Sequence, residues 1–90
     1  MEKKTLQSGW AIVVVDRGFM YVGQCEIADD WCVVTKARNI RYWGTSRGLG
    51  QLALEGPQKD TKLDAITTLR IPMRAVISVI DSEEKLWNSK

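Results

Sequence analysis

The sequence predicts a mainly β (α+β) fold: a small antiparallel sheet or barrel of about six strands with one short inserted helix. Three observations carry that expectation. The first is the apolar, mostly β-branched run Ala11-Ile12-Val13-Val14-Val15, which reads as a strand buried on both faces. The second is turn chemistry at short intervals, Asp16-Arg17-Gly18 and then Asp29-Asp30, between alternating apolar segments. The third is a helical spacing at Leu49, Leu52 and Ala53, closed by a Gly56-Pro57 stop.

Taken in order, residues 1–8 are charged and then polar and read as a flexible lead-in. Residues 10–16 form the first strand. Residues 19–28 form the second, with Gly23 marking a bulge or a close backbone approach. Residues 31–36 form the third and complete an antiparallel meander. Ala37-Arg38-Asn39 is expected to connect to a short fourth strand at 40–43. Thr45 or Ser46 is expected to cap the helix, which Gly48 and Gly50 weaken by about 1 kcal/mol each relative to alanine. That helix should pack on an edge or end of the sheet. A charged loop at 58–64 leads to a fifth strand at 65–71, Pro72 interrupts the ladder, and a sixth strand covers 74–80. Asp81 or Ser82 can cap a last turn carrying Leu86 and Trp87, so residues 83–90 read as a tail or short helix.

Ninety residues make one small domain, 1–90. Its 44% apolar and 27% charged residues are those of an ordinary globular chain. Four tryptophans exceed what one small core encloses with every indole N–H satisfied, so some should be partly exposed or lie in a subunit contact. No apolar h-region occupies residues 1–8, and the longest apolar run, 10–15, is far too short to cross a bilayer. A cytoplasmic location with no membrane partner is the expectation.

Cys25 and Cys32 read as reduced core thiols that a strand–turn–strand unit could bring together. The chain has no histidine, and two thiolates cannot close a tetrahedral zinc site. Missing histidine also removes the commonest general base and any Ser-His or Cys-His pair. Asp29-Asp30 and Glu83-Glu84 sit in turn and helix-start positions, not on converging elements. No enzyme, no metal and no cofactor is therefore expected.

Charge is unevenly placed. Between residues 31 and 54 there are four basic residues and no acidic one, while the rest of the chain carries nine basic and eleven acidic residues. The basic segment surrounds an aromatic pair. Arginine and lysine suit phosphates, and aromatic or guanidinium planes suit bases. The candidate ligand-binding residues are Lys36, Arg38, Arg41, Tyr42, Trp43, Thr45, Ser46 and Arg47. Tyr42 and Trp43 alternate along the predicted strand, so one at most should face the core. The turn from Gly44 to Ser46, opening a helix, could offer backbone N–H groups to an anion, although it lacks the Gly-Lys-Ser/Thr ending of a P-loop.

Ala37-Arg38-x-Ile40-x-Tyr42-Trp43, followed by Leu49-x-Gln51-Leu52-Ala53-x-Glu55-Gly56, resembles an uncharacterised family of short phage and prophage proteins. The likeness covers most of residues 10–82 and departs at Arg47, Gly48 and Gly50. It implies a virus-derived protein acting in a bacterial host cytoplasm. In that setting the basic-aromatic segment suits a non-enzymatic, homo-oligomeric sponge, dimer or tetramer, for a small anionic nucleotide of host immune signalling. One alternative is a protein-interaction module that inhibits a host protein. A second is a single-stranded nucleic-acid binder, disfavoured by a net charge of only +2.

Overall fold

The first strand, β1 (Thr5–Val15), is the spine of the molecule. The computed structural model describes residues 5–88, and side chains from residue 9 onward. β1 pairs with β2 (Met20–Ala28) on one side and β6 (Val76–Asp81) on the other, both antiparallel. β2 in turn pairs with β3 (Trp31–Tyr42). The far edge of β3 is shared. β5 (Leu69–Pro72) lies along its first half and β4 (Lys62–Ala65) along its second. The result is one open antiparallel sheet of six strands with two short helices, α1 (Leu49–Glu55) and α2 (Glu84–Asn88). No helix among the described residues is long and apolar enough to cross a membrane.

The sheet must curl. From β5 to β6 it counts four inter-strand gaps, about 19 Å if flat. The link between those strands is a single 3-10 turn, Met73–Ala75, which advances only about 8 Å. The edges are therefore drawn toward each other over one face. There Ala11, Val13, Cys25, Ile27, Val34 and Ile71 form a first core, partly covered by Met73 and Ala75. The other face carries Trp10, Ile12, Val22 and Ile40 against Leu52 and Ala53 of α1 and Trp87 of α2. Both helices thus cover this second face, and α1 packs chiefly beside the edge strand β6, in keeping with the edge position expected of it. The physical reason is that β1 is apolar on both sides and needs two covers.

The strand boundaries differ from the sequence reading in four places. Residues 5–8 are not a lead-in but the start of β1, with Thr5 paired to Ala28; residues 1–4 lie outside the described residues. The third and fourth predicted strands are one continuous β3, so Ala37-Arg38-Asn39 is strand and not a connection. The predicted fifth strand is two, β4 and β5, separated by residues 66–68. Part of the predicted sixth, from Arg74, is the 3-10 turn.

A bulge explains the length of β3. Val22 pairs with Arg38 and Gln24 with Thr35, so Gly23 alone faces Lys36 and Ala37. Lys36 takes a left-handed backbone, φ 53°. A side chain on Gly23 would overlap the Thr35 carbonyl oxygen and Val34 Cγ1. The extra residue reverses the strand's alternation. Cys32 and Val34 point to the first core, whereas Arg38 and Ile40, also even-numbered, belong to the helix-covered face.

Two details secure the cores. Cys25 Sγ and Cys32 Sγ, both fully buried, stand 3.4 Å apart as free thiols. Their hydrogen bond, reinforced by burial, pushes the Cys25 thiol well above its usual range. Trp87, also fully buried, donates its indole N–H to Ser82 Oγ at 2.9 Å, and that hydroxyl donates to the Ala53 carbonyl at 2.7 Å. Ser82 therefore ties α2 to α1, where an N-cap role was expected of it. Of the other tryptophans, Trp10 is buried and Trp31 and Trp43 are exposed, as the crowding argument anticipated.

Val13 is fully buried, but Val14 only partly. Val13→Asp should therefore unfold the domain, because an unpaired buried charge costs several of the roughly 5–15 kcal/mol that hold such a fold together. Val14→Asp should stay folded with a lowered urea midpoint; circular dichroism during urea titration separates the two. The thiols offer a second check. Neither should react with an aromatic disulfide reagent in the native protein, and both should react in denaturant. Rapid native labelling would contradict their burial.

Candidate functional site

The basic-aromatic segment ends up at one end of the sheet, where β3 gives way to the turn before α1 and β4 returns beside it. The bulge at Lys36 sets its first half. Arg38 projects onto the helix-covered face, next to Ala65 of β4. Its Nη2 donates to the Trp87 carbonyl at 3.3 Å, and its guanidinium lies 6.0 Å from the centre of the Trp87 ring. A second register shift, between Ile40 and Tyr42, leaves Arg41 without a ladder partner. Arg41 Nε instead pairs with Asp64 Oδ2 at 2.8 Å.

The tip is held by a close backbone contact. Gly44, at φ 62°, sits directly against the Asp60–Thr61 peptide, where a Cβ would overlap the Asp60 carbonyl carbon. Thr61 Oγ1 donates to the Trp43 carbonyl at 2.6 Å and accepts from Gln58 N–H at 2.8 Å. Gln51 fixes the turn from the helix side. Its Oε1 accepts from Ser46 N–H at 3.1 Å and Arg47 N–H at 2.9 Å, while Thr45 Oγ1 accepts from Gly48 N–H at 2.9 Å.

These bonds correct part of the sequence reading. Three of the turn's N–H groups, those of Ser46, Arg47 and Gly48, already have partners inside the chain. Neither Thr45 nor Ser46 is the N-cap, a position that Gly48 occupies without a side-chain bond. Arg47 is ion-paired to Glu55 of α1. Lys36 reaches Glu84 of α2 at 3.6 Å from its place in the bulge. Tyr42 and Trp43, 59% and 36% exposed, both lie outside the two cores, so neither is the buried member of an alternating pair.

Three open clefts surround the tip. The largest, about 690 Å³, is lined by Arg38, Leu63 and Ala65 below and by Pro57, Gln58, Lys59 and Thr61 along its wall. It holds two cationic side chains and no carboxylate. A second, about 550 Å³, brings together Arg41, Tyr42, Trp43, Gly44, Thr45 and Gly48. The third, about 430 Å³, lies between them and contains Tyr42, Ser46, Gln51, Lys59 and Asp60. Of the predicted residues, Arg38 enters the first cleft, Arg41, Tyr42, Trp43 and Thr45 share the second, and Ser46 joins the third. Lys36 and Arg47 line none of these three.

Sequence reasoning missed Gln51, Gln58, Lys59 and Thr61. Lys59 was visible only as part of a charged loop. What makes it a neighbour of Arg38 is β4, a four-residue strand too short and too polar to stand out. Among the described residues, no group of three or more His, Cys, Asp or Glu could hold a metal ion.

Residues 12–89 match the family described as a domain of unknown function, DUF6948. The chain belongs to that family. No curated protein and no solved structure matches it. The family match runs from β1 to α2 and so takes in both faces of the sheet and all three clefts.

Gly44→Ala should pry the tip apart, because it adds a clash to an unfavourable left-handed backbone. A loss of about 1–3 kcal/mol is expected in chemical unfolding, with both cores retained. An unchanged unfolding midpoint would mean that the Gly44–Asp60 contact does not hold the tip.

Proposed function

We propose that this chain is a non-catalytic binding protein that sequesters a small anionic nucleotide, and that Arg38 and Lys59 form its primary anion contact. The observation that carries this reading is the acid-free lining of the 690 Å³ cleft, which has two cations over an apolar floor. Its volume lies within the usual range for small-molecule sites. Half-exposed aromatic rings stand nearby for stacking. The Arg41–Asp64 and Arg47–Glu55 pairs are solvent-exposed and hold their partners weakly, so a phosphate can compete for either guanidinium. The hydroxyl of Thr61 donates to a backbone carbonyl and that of Thr45 accepts from a backbone N–H, which supports binding over chemistry.

The phage resemblance supports a role in a bacterial host cytoplasm, and the exposed apolar side chains support self-association as a dimer or tetramer. Those same side chains, Phe19, Trp31 and Ile77, favour a second reading: a module that docks on a host protein.

The test is thermal stabilisation across a panel of mononucleotides, with short single-stranded nucleic acids alongside. At a ligand concentration a hundredfold above Kd, binding adds about 2.7 kcal/mol, which raises Tm by roughly 10 °C or more in a domain of this size. Lys59→Ala and Arg38→Ala should each weaken binding about ten- to hundredfold. Arg38→Lys should recover little, because an ammonium lacks the planar fork. A flat response to every nucleotide, with the same variants losing a host-protein contact, would favour the second reading.

A further inference from the structure

The three clefts are not separate. The first and third share Gln58 and Lys59, and the third and second share Tyr42, Gly44 and Thr45. They form one trough that wraps the end of β3. Its chemistry changes along its length. Arg38 and Lys59 stand at one end, and Arg41 at the other. Between them the trough suits phosphate less, because Asp60 lines it and offsets Lys59, which the middle shares with the first end. That middle stretch also offers the Tyr42 ring and two side-chain amides.

The orientation of both amides is fixed by their partners. Gln51 Oε1 accepts from two backbone N–H groups, so the oxygen points inward and the NH2 remains. Gln58 Nε2 donates to the Gly56 carbonyl at 2.9 Å, so its carbonyl oxygen remains. A donor and an acceptor therefore line the same cleft as an exposed aromatic ring. That set suits the edge and face of a nucleobase. Trp43, in the second cleft, supplies another ring beyond it.

We infer that the ligand is a linear nucleotide of at least two units, one base lying on Tyr42 between two phosphates. This rests on the proposed anion-binding reading and goes beyond it. Arg38 and Arg41 are three residues apart on β3, about 10 Å along the strand, and project to different faces. A mononucleotide carries its phosphate on one side of its base and engages one end of the trough at a time. A 5′-phosphorylated dinucleotide flanks its first base with a phosphate on each side and meets both ends. Its second base reaches Trp43.

The experiment compares adenosine 5′-monophosphate with the linear 5′-phosphorylated adenosine dinucleotide, pApA, by calorimetric titration of the intact protein. The dinucleotide should bind at least tenfold more tightly. Arg41→Ala should erase that advantage, bringing the dinucleotide down to the affinity of the mononucleotide. Lys59→Ala should weaken both. Because Arg41 and Lys59 are exposed, neither change should disturb the fold, which circular dichroism verifies. Equal affinity for the two ligands would overturn the two-phosphate trough while leaving nucleotide binding intact. A dinucleotide advantage that survives Arg41→Ala would also overturn it. Failure of both ligands to bind would remove the underlying reading itself.

Discussion

One constraint decides what the end of this sheet can be: two residues of β3 must fit opposite a single glycine of β2. Gly23 has room for no side chain, and Lys36 accepts a left-handed backbone beside it. Without that insertion, Arg38 and Ile40 would lie on the same face as Cys32 and Val34. An arginine would then point into the inner core, with Ile40 missing from the helix-covered one. With the insertion, each strand half meets the core it can fill. The bulge also places Arg38 against α2 and turns Arg41 toward the opposite side. The geometry of the trough is therefore set by a glycine well removed from it in sequence.

The electrostatics of that trough are local. The net charge is small, and the four cations of the basic segment each have a partner. Three of those partners are exposed carboxylates, weak enough to be exchanged for a phosphate. The fourth is a backbone carbonyl at the end of α2, which leaves the Arg38 guanidinium its positive charge. A carbonyl neutralises nothing, so Arg38 keeps more of its pull on an anion than the three paired cations do.

Much of the fold was legible in the sequence because its signals are local. The Val-rich strand, both turns of the meander, the Gly56 stop and the bulge at Gly23 can be read from short windows. What escaped was non-local. β4 exists because β3 offers it an edge, and its four residues carry no period of their own. The merger of two predicted strands into β3 followed from a bulge that reads like a break. The site was half legible for the same reason. Arg38, Arg41, Tyr42 and Trp43 lie close together in sequence, whereas Gln51 and Lys59 reach them through tertiary packing. The turn's N–H groups looked available because their acceptor, Gln51, is a side chain whose direction no spacing reveals.

The placement of Trp87 carries a consequence for how the chain comes to be folded. The core on the helix-covered face includes Trp10 near one end of the sequence and Trp87 near the other, and Ser82 N–H bonds the Trp10 carbonyl at 2.9 Å. β6 must likewise return to the outer edge of β1. Neither core can therefore close before β6 and α2 have been made. Until then the early meander keeps Trp10, Ile12 and Val22 uncovered, a sticky ribbon that only the return of distant segments turns into a domain.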